Sequence, residues 1–197
     1  MLADIQSPAP PEPTDTDIHG FDQRAGHGQQ LPSDFTHGIR HLTRSVTVLT
    51  SSDEHGERYG ATTTGVCALS TEPPTLVVCL RRRSRLGSQL PRTRNFCVNV
   101  LSAGQRTVAE AFAGRRGVDV DRFNHGEWKT ADNGSPMLAN ALASFECEVD
   151  LIYGYPNHLI VIANVGHVGQ IAEHSDPLVY ASGQLSSLVP SEVAVAS

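Results

Sequence analysis

Gly60-Ala61-Thr62-Thr63-Thr64-Gly65-Val66-Cys67-Ala68-Leu69-Ser70-Thr71-Glu72-Pro73-Pro74 is the stretch whose reading decides the fold. Three hydroxyl side chains follow one another between two glycines. In an extended strand Thr62 and Thr64 share a face and Thr63 opposes them. Threonine favours strands on its own account, so the run fits either an ordinary strand or a wall that offers hydroxyls to a ligand. The glycines suggest a bulge or a close backbone approach within a strand from Tyr59 to Leu69. Glu72-Pro73-Pro74 ends it.

Strand signals continue on both sides. Val46 to Thr50 is rich in β-branched residues, and Asp53-Glu54-His55-Gly56-Glu57 is a turn, so the two segments form a hairpin. Thr75 to Leu80 and Asn95 to Leu101 are further strands. Ser84 caps a short helix that Pro91 stops. Gln105 to Phe112 places Val108, Ala109, Ala111 and Phe112 on one buried helix face. Gly114 to Gly134 reads as a loop. Ala139 to Tyr153 and His158 to Ile171 are long strands joined by the turn Gly154-Tyr155-Pro156-Asn157. Pro177 to Tyr180 and Gln184 to Leu188 are short strands, and Ser33-Asp34 caps a helix through His41. The class is β-rich α+β, and a closed or partly closed antiparallel barrel removes the sheet edges.

Length and composition set the frame. Of 197 residues, 39% are apolar and 6% aromatic. Residues 1–32 are rich in Pro, Asp, Gln and Gly and read as a disordered extension. Residues 33–189 suit one domain, and 190–197 read as a tail. The N-terminus lacks the basic and apolar blocks of a secretory signal. No run is long and apolar enough to span a membrane. A cytoplasmic protein is expected. The net charge of -6 argues against general nucleic-acid binding, so any anion site is local. Cys67, Cys79, Cys97 and Cys147 sit among strand residues and read as packed core thiols.

Arg81-Arg82-Arg83-Ser84-Arg85 puts four arginines where an apolar strand ends and a helix begins. Arginine forks match phosphate oxygens, and a capped helix start adds backbone donors. A cofactor phosphate and a solvated charge run both fit. His158 opens a strand after Pro156-Asn157, and on spacing alone it reads more readily as a satisfied surface or core residue than as a functional one. No metal site is expected. No Gly-x-Gly-x-x-Gly or Walker-type motif is present, which excludes the usual nucleotide-binding loops. No Gly-x-Ser-x-Gly supports a hydrolase.

In order and content these segments resemble the flavin reductase-like family, whose fold is the FMN-binding split barrel. Gly60 to Pro74 is similar, without a gap, to that family's GMTASSFTSVSLDPP stretch. Asn95-Phe96-Cys97-Val98-Asn99-Val100-Leu101 resembles FAVNVL. Asp121-Arg122-Phe123 with Trp128 resembles DRF…W, Pro156-Asn157-His158-Leu159-Ile160 resembles GDHxI, and Pro177-Leu178-Val179-Tyr180 resembles PLVY. The resemblance spans about residues 34–188. Its departures are Thr64, Gly65, Asn157, and Ala181-Ser182-Gly183-Gln184-Leu185 in place of HRGRY.

The resemblance implies an antiparallel split β-barrel with a few short flanking helices. It implies hydride transfer from NADH or NADPH to FMN or FAD, with no side-chain nucleophile. Thr62, Thr63, Thr64 and Gly65 would line the flavin ring, with Cys67 and Ala68 near the ring or its ribityl chain. Arg83 and Ser84, with Arg82 beside them, would hold the flavin phosphate. Asn99 and Val100 would touch the flavin from the neighbouring strand. His158 would position the nicotinamide. A homodimer and a partner flavin-dependent monooxygenase are implied too. The alternatives are a flavin-binding sensor or carrier without turnover, and an oxidase with fixed FMN.

Overall fold

The chain passes from one edge of a seven-stranded antiparallel sheet to the other in two residues, Thr64 and Gly65. The structure, a computed structural model, describes residues 31–114, 121–172 and 175–188. It opens with helix α1 (Leu31–Ile39) and strands β1 (Arg44–Ser45), β2 (Thr47–Ser52), β3 (Arg58–Thr63), β4 (Val66–Thr71) and β5 (Pro74–Arg81). Helix α2 (Arg85–Thr93), β6 (Asn95–Val100) and helix α3 (Arg106–Phe112) follow. Short strands β7 (Trp128–Thr130) and β8 (Pro136–Leu138) precede the long β9 (Ala143–Tyr155) and β10 (His158–Ile171). β11 (Leu178–Ala181) and β12 (Gln184–Ser187) complete the described chain.

The large sheet runs β3-β2-β6-β9-β10-β5-β4. Its edge strands β3 and β4 are consecutive in sequence, so the sheet curls until its two margins meet. The Cys79 amide donates to the Gly65 carbonyl at 2.7 Å. Thr63 Oγ1 donates to the Cys79 carbonyl at 3.0 Å and accepts from the Gly65 amide at 3.0 Å. A Cβ on Gly65 would lie 3.0 Å from Cys79 Cβ, so the corner uses the bare backbone. The expected single strand from Tyr59 to Leu69 is therefore two strands. Gly65 serves the seam, and the bulge reading becomes a closure of the barrel.

Both faces of β2 are buried, which explains its near-continuous burial. Leu49 packs in the barrel interior with Phe96, Val98, Val161 and the α2 residues Leu86 and Leu90. Val46 and Val48 pack on the other side with Val108, Phe112, Leu138 and Leu178. The small sheet β1-β11-β12 covers that second cluster. α2 thus plugs the barrel, while α3 lies outside it.

Several expectations need correction. Pro91 lies inside α2; the helix ends two residues later, where Arg94 adopts φ 54° and its amide bonds the Leu90 carbonyl. The expected loop from Gly114 to Gly134 holds a one-turn helix (Arg122–Asn124) and β7, which pairs with β8. β9 begins at Ala143, not Ala139, and runs through Gly154 to Tyr155. α1 starts at Leu31, inside the extension expected to be disordered. The rest of that extension (1–30) and the tail (190–197) lie outside the described residues. Of the four thiols, only Cys97 and Cys147 are core; burial pushes the Cys147 thiol up to about 12. Cys67 and Cys79 are exposed: Cys67 lies on the edge strand β4, and Cys79 lies on β5 at the seam beside Gly65.

Candidate functional site

A cleft of about 540 Å³ opens beside the barrel corner. Thr62, Thr63 and Thr64 line it, together with Ser84 from the start of α2 and His158 from the start of β10. These residues are distant in sequence, and the topology joins them. β3 ends at the corner, β5 delivers the chain to α2 beside it, and His158 pairs with Arg81 across β10 and β5. Helix α3 supplies Phe112, and the small sheet supplies Tyr180 and Leu185.

The threonines are more committed than their sequence suggests. Thr62 Oγ1 donates to the Ala109 carbonyl at 2.7 Å, tying β3 to α3. Thr63 Oγ1 is spent on the barrel seam. Among the described residues Thr64 Oγ1 makes no bond within the chain, so it is the hydroxyl free for a ligand. β3 is an edge strand, and half of its backbone groups face away from β2 with no strand beyond them. One of these, the Gly60 carbonyl, accepts from Arg122 Nη1 at 3.4 Å.

Gly60 makes room for an aromatic wall. A Cβ there would lie 2.3 Å from Phe112 Cε1. The Phe112 ring stands 5.0 Å from Phe123 and 5.3 Å from Trp128, centroid to centroid. The Phe123 ring also carries the Arg58 guanidinium at 4.3 Å, and Arg58 pairs with Asp121 at 3.5 Å. Asp121 and Arg122 are therefore both pinned to β3 or to the residues packed on it.

The cleft is cationic although the chain is acidic overall. Arg81, Arg85 and Arg122 line it, with Glu110 as the acidic side chain. Arg85 is held by Glu57 at 3.1 Å. The arginines of this lining differ from those of the expected phosphate corner. Arg82 and Arg83 are exposed and outside the cleft lining, while their neighbours on either side, Arg81 and Arg85, are in it. Ser84 lies at the corner, but its hydroxyl is used as a helix cap. It accepts from the Gly87 amide at 2.9 Å and donates to the Arg81 carbonyl at 2.8 Å. Ser84→Ala is expected to cost about 1 kcal/mol of stability, read from the denaturant midpoint.

Other expected residues are not brought to the cleft. Gly65 lies behind the threonines at the seam, and Cys67 and Ala68 are exposed along β4. Asn99 is fully buried. Its Nδ2 donates to the Val48 carbonyl at 3.0 Å and Thr50 Oγ1 at 3.1 Å, and its Oδ1 accepts from the Leu138 amide at 2.8 Å. Val100 pairs with Thr47 and Ala143 inside the sheet. Sequence reading singled out Arg81 and Arg85 only as members of the arginine run, and gave no site role to Arg122, Phe112 and Tyr180. Arg122 and Tyr180 stood in segments already singled out, Asp121-Arg122-Phe123 and Pro177 to Tyr180, without a role.

Edge-strand amides, a free hydroxyl, an aromatic wall and a cationic rim together suit a flat, polar-edged ring that carries a phosphate. The chain belongs to the flavin reductase like domain family, which it matches over residues 39–188. It is similar to an FMN reductase (NADH) RutF of Methylorubrum extorquens PA1, with 37% identity over 144 residues, 73% of this chain and 70% of that one. Among solved structures it is similar to BorF, the flavin reductase component of a bacterial two-component tryptophan halogenase. That match has a TM-score of 0.72 and 28% identity, covering 80% of this chain and 98% of the other. The styrene monooxygenase flavin reductase of Pseudomonas putida S12 matches with a TM-score of 0.70 and 26% identity, covering 78% and 96%.

Proposed function

We propose that this chain is a flavin reductase that uses NADH to reduce FMN and releases the reduced flavin to a separate flavin-dependent monooxygenase. The observation that carries this reading is the meeting of Thr62–Thr64, the arginines Arg81, Arg85 and Arg122, and His158 around one cleft. The name of the Methylorubrum relative supports FMN and NADH. The names of the two solved relatives support a partner enzyme fed with reduced flavin.

When bound together, nicotinamide and flavin supply the hydride transfer themselves. The protein holds the reactants in register. The outward backbone groups of β3 and the Thr64 hydroxyl meet the polar edge of the flavin. Hydrogen-bond donors there favour the negative charge that reduction places on the ring. Phe112 gives apolar contact. Arg81 at the end of β5 and Arg85 at the start of α2 hold the phosphate. His158, exposed at the cleft, orients the nicotinamide and moves no proton.

The test is anaerobic rapid mixing of the protein, FMN and NADH. Bleaching of the flavin, slowed when NADH carries deuterium at the transferred position, supports the reading; protein that binds FMN without bleaching it contradicts the reading. His158→Ala is expected to raise the KM for NADH and leave kcat nearly unchanged, as loss of a purely binding contact does.

A homodimer accompanies this proposal. Leu151, Ile162, Val77 and Cys67 align across β9, β10, β5 and β4, and Tyr153, Ile160 and Cys79 form the next row. Leu151 and Tyr153 are about half exposed, at 52% and 48%. An exposed apolar face of this kind marks an interaction surface, and a second copy of the chain is the occupant proposed. Among the described residues no helix is long and apolar enough to cross a membrane; a cytoplasmic location is part of the proposal.

A further inference from the structure

Arg44 has unusual surroundings for a cation. It opens β1 directly opposite Tyr180 on β11, and Tyr180 stands opposite Leu185 on β12. Side chains opposite one another on antiparallel strands project from the same face. Tyr180 and Leu185 both line the cleft, so Arg44 belongs to the same row, one strand further out. Its guanidinium carbon lies 5.7 Å from the centre of the Tyr180 ring, within cation–π reach. Its Nε is buried without a hydrogen-bond partner. No ion pair joins it to a carboxylate among the described residues.

A buried donor is almost always bonded, and an orphan one calls for an explanation. The Tyr180 ring holds the guanidinium in place but supplies no counter-charge. Residues 181–185 of the neighbouring hairpin carry no charged side chain. Arg44 does not itself line the cleft, but it is the one charged side chain on the three strands of the small sheet and stands beside Tyr180, which does line it. The planar fork of arginine matches two phosphate oxygens at once.

We infer that Arg44, steadied by Tyr180, binds the diphosphate of the nicotinamide dinucleotide. The inference rests on the reductase reading, because that reading brings a dinucleotide to this cleft. The flavin phosphate has its own corner at Arg81 and Arg85, on β5 and α2, so the small sheet is left for the second ligand.

The test is calorimetric titration of the full-length protein with ADP-ribose, which carries the diphosphate without the nicotinamide, and separately with FMN. Wild type, Arg44→Ala and Arg44→Lys are compared, with thermal midpoints recorded for each. Arg44→Ala is expected to weaken ADP-ribose by roughly tenfold, the scale of one charge-assisted contact. Arg44→Lys recovers part of this, since it keeps the charge and loses the fork. FMN affinity stays as in wild type. The ADP-ribose affinity of wild type falls with added salt, and Arg44→Ala loses most of that slope. Unchanged ADP-ribose binding in Arg44→Ala overturns the inference. So does a parallel loss of FMN and ADP-ribose with a lowered midpoint, which marks a structural role, and so does wild type that binds no ADP-ribose. Protein that binds ADP-ribose through Arg44 but never oxidises NADH upholds this contact while the reductase reading fails.

Discussion

Asn99→Ala is expected to destabilise the described fold strongly, by about 3–5 kcal/mol. The side chain is fully buried and links β2, β6, β8 and β9. It bonds the Val48 carbonyl, Thr50 Oγ1, the Leu138 amide and, at 3.2 Å, Ser144 Oγ. Truncation strands two buried backbone groups, each costing about 1–3 kcal/mol, and leaves a small cavity. Asn99→Asp keeps the acceptor for Leu138 and Ser144 but loses the donor and buries a charge, so it does not rescue. Denaturant unfolding measures the loss. The folded fraction of Asn99→Ala is expected to retain FMN affinity, because Asn99 does not line the cleft. A fully stable Asn99→Ala with weakened FMN binding would reverse the assignment.

Gly60→Val acts on the cleft itself. The first added carbon already falls 2.3 and 2.6 Å from the Phe112 ring. Phe112 is 2% exposed and wedged between Phe123 and Trp128, so it cannot swing away cheaply. Overpacking of this kind costs about 1–3 kcal/mol, and the branched side chain reaches further than its Cβ. β3 and α3 must separate, which breaks the bond from Thr62 to Ala109 that frames the site. FMN affinity is expected to fall at least about tenfold, since each 1.4 kcal/mol is a factor of ten. Fluorescence titration of Trp128 with FMN measures it. Gly60→Ala shows the same effects in smaller measure.

These two positions show what could be read from the sequence. The strand content was legible because Val46–Thr50, Thr75–Leu80 and Asn95–Leu101 carry strong local signals. The arrangement was not. Nothing local in Thr63-Thr64-Gly65 says that the chain changes edges there, since the reason is Cys79 passing close by. The small sheet also depends on long-range pairing: Arg44 meets Tyr180 across most of the chain. For the site, the threonine run and Ser84 lie on the cleft described above, but which arginines line it did not follow from their run. Which of Arg81, Arg82, Arg83 and Arg85 faces inward depends on where β5 ends and how Ser84 caps α2. Asn99 was drawn to the flavin by resemblance, while its hydrogen bonds place it in the sheet. Phe112 was legible as a core residue. Its second role, as a cleft wall, comes from Gly60, 52 residues away in a different element.

The most direct measurement is NADH consumption by the purified protein in air, with no flavin and then with FMN added. The account predicts little consumption without added flavin and turnover that rises and saturates with FMN, as expected of a cleft that takes flavin as an exchangeable substrate. A protein that binds FMN yet leaves NADH unconsumed at every flavin concentration would contradict it.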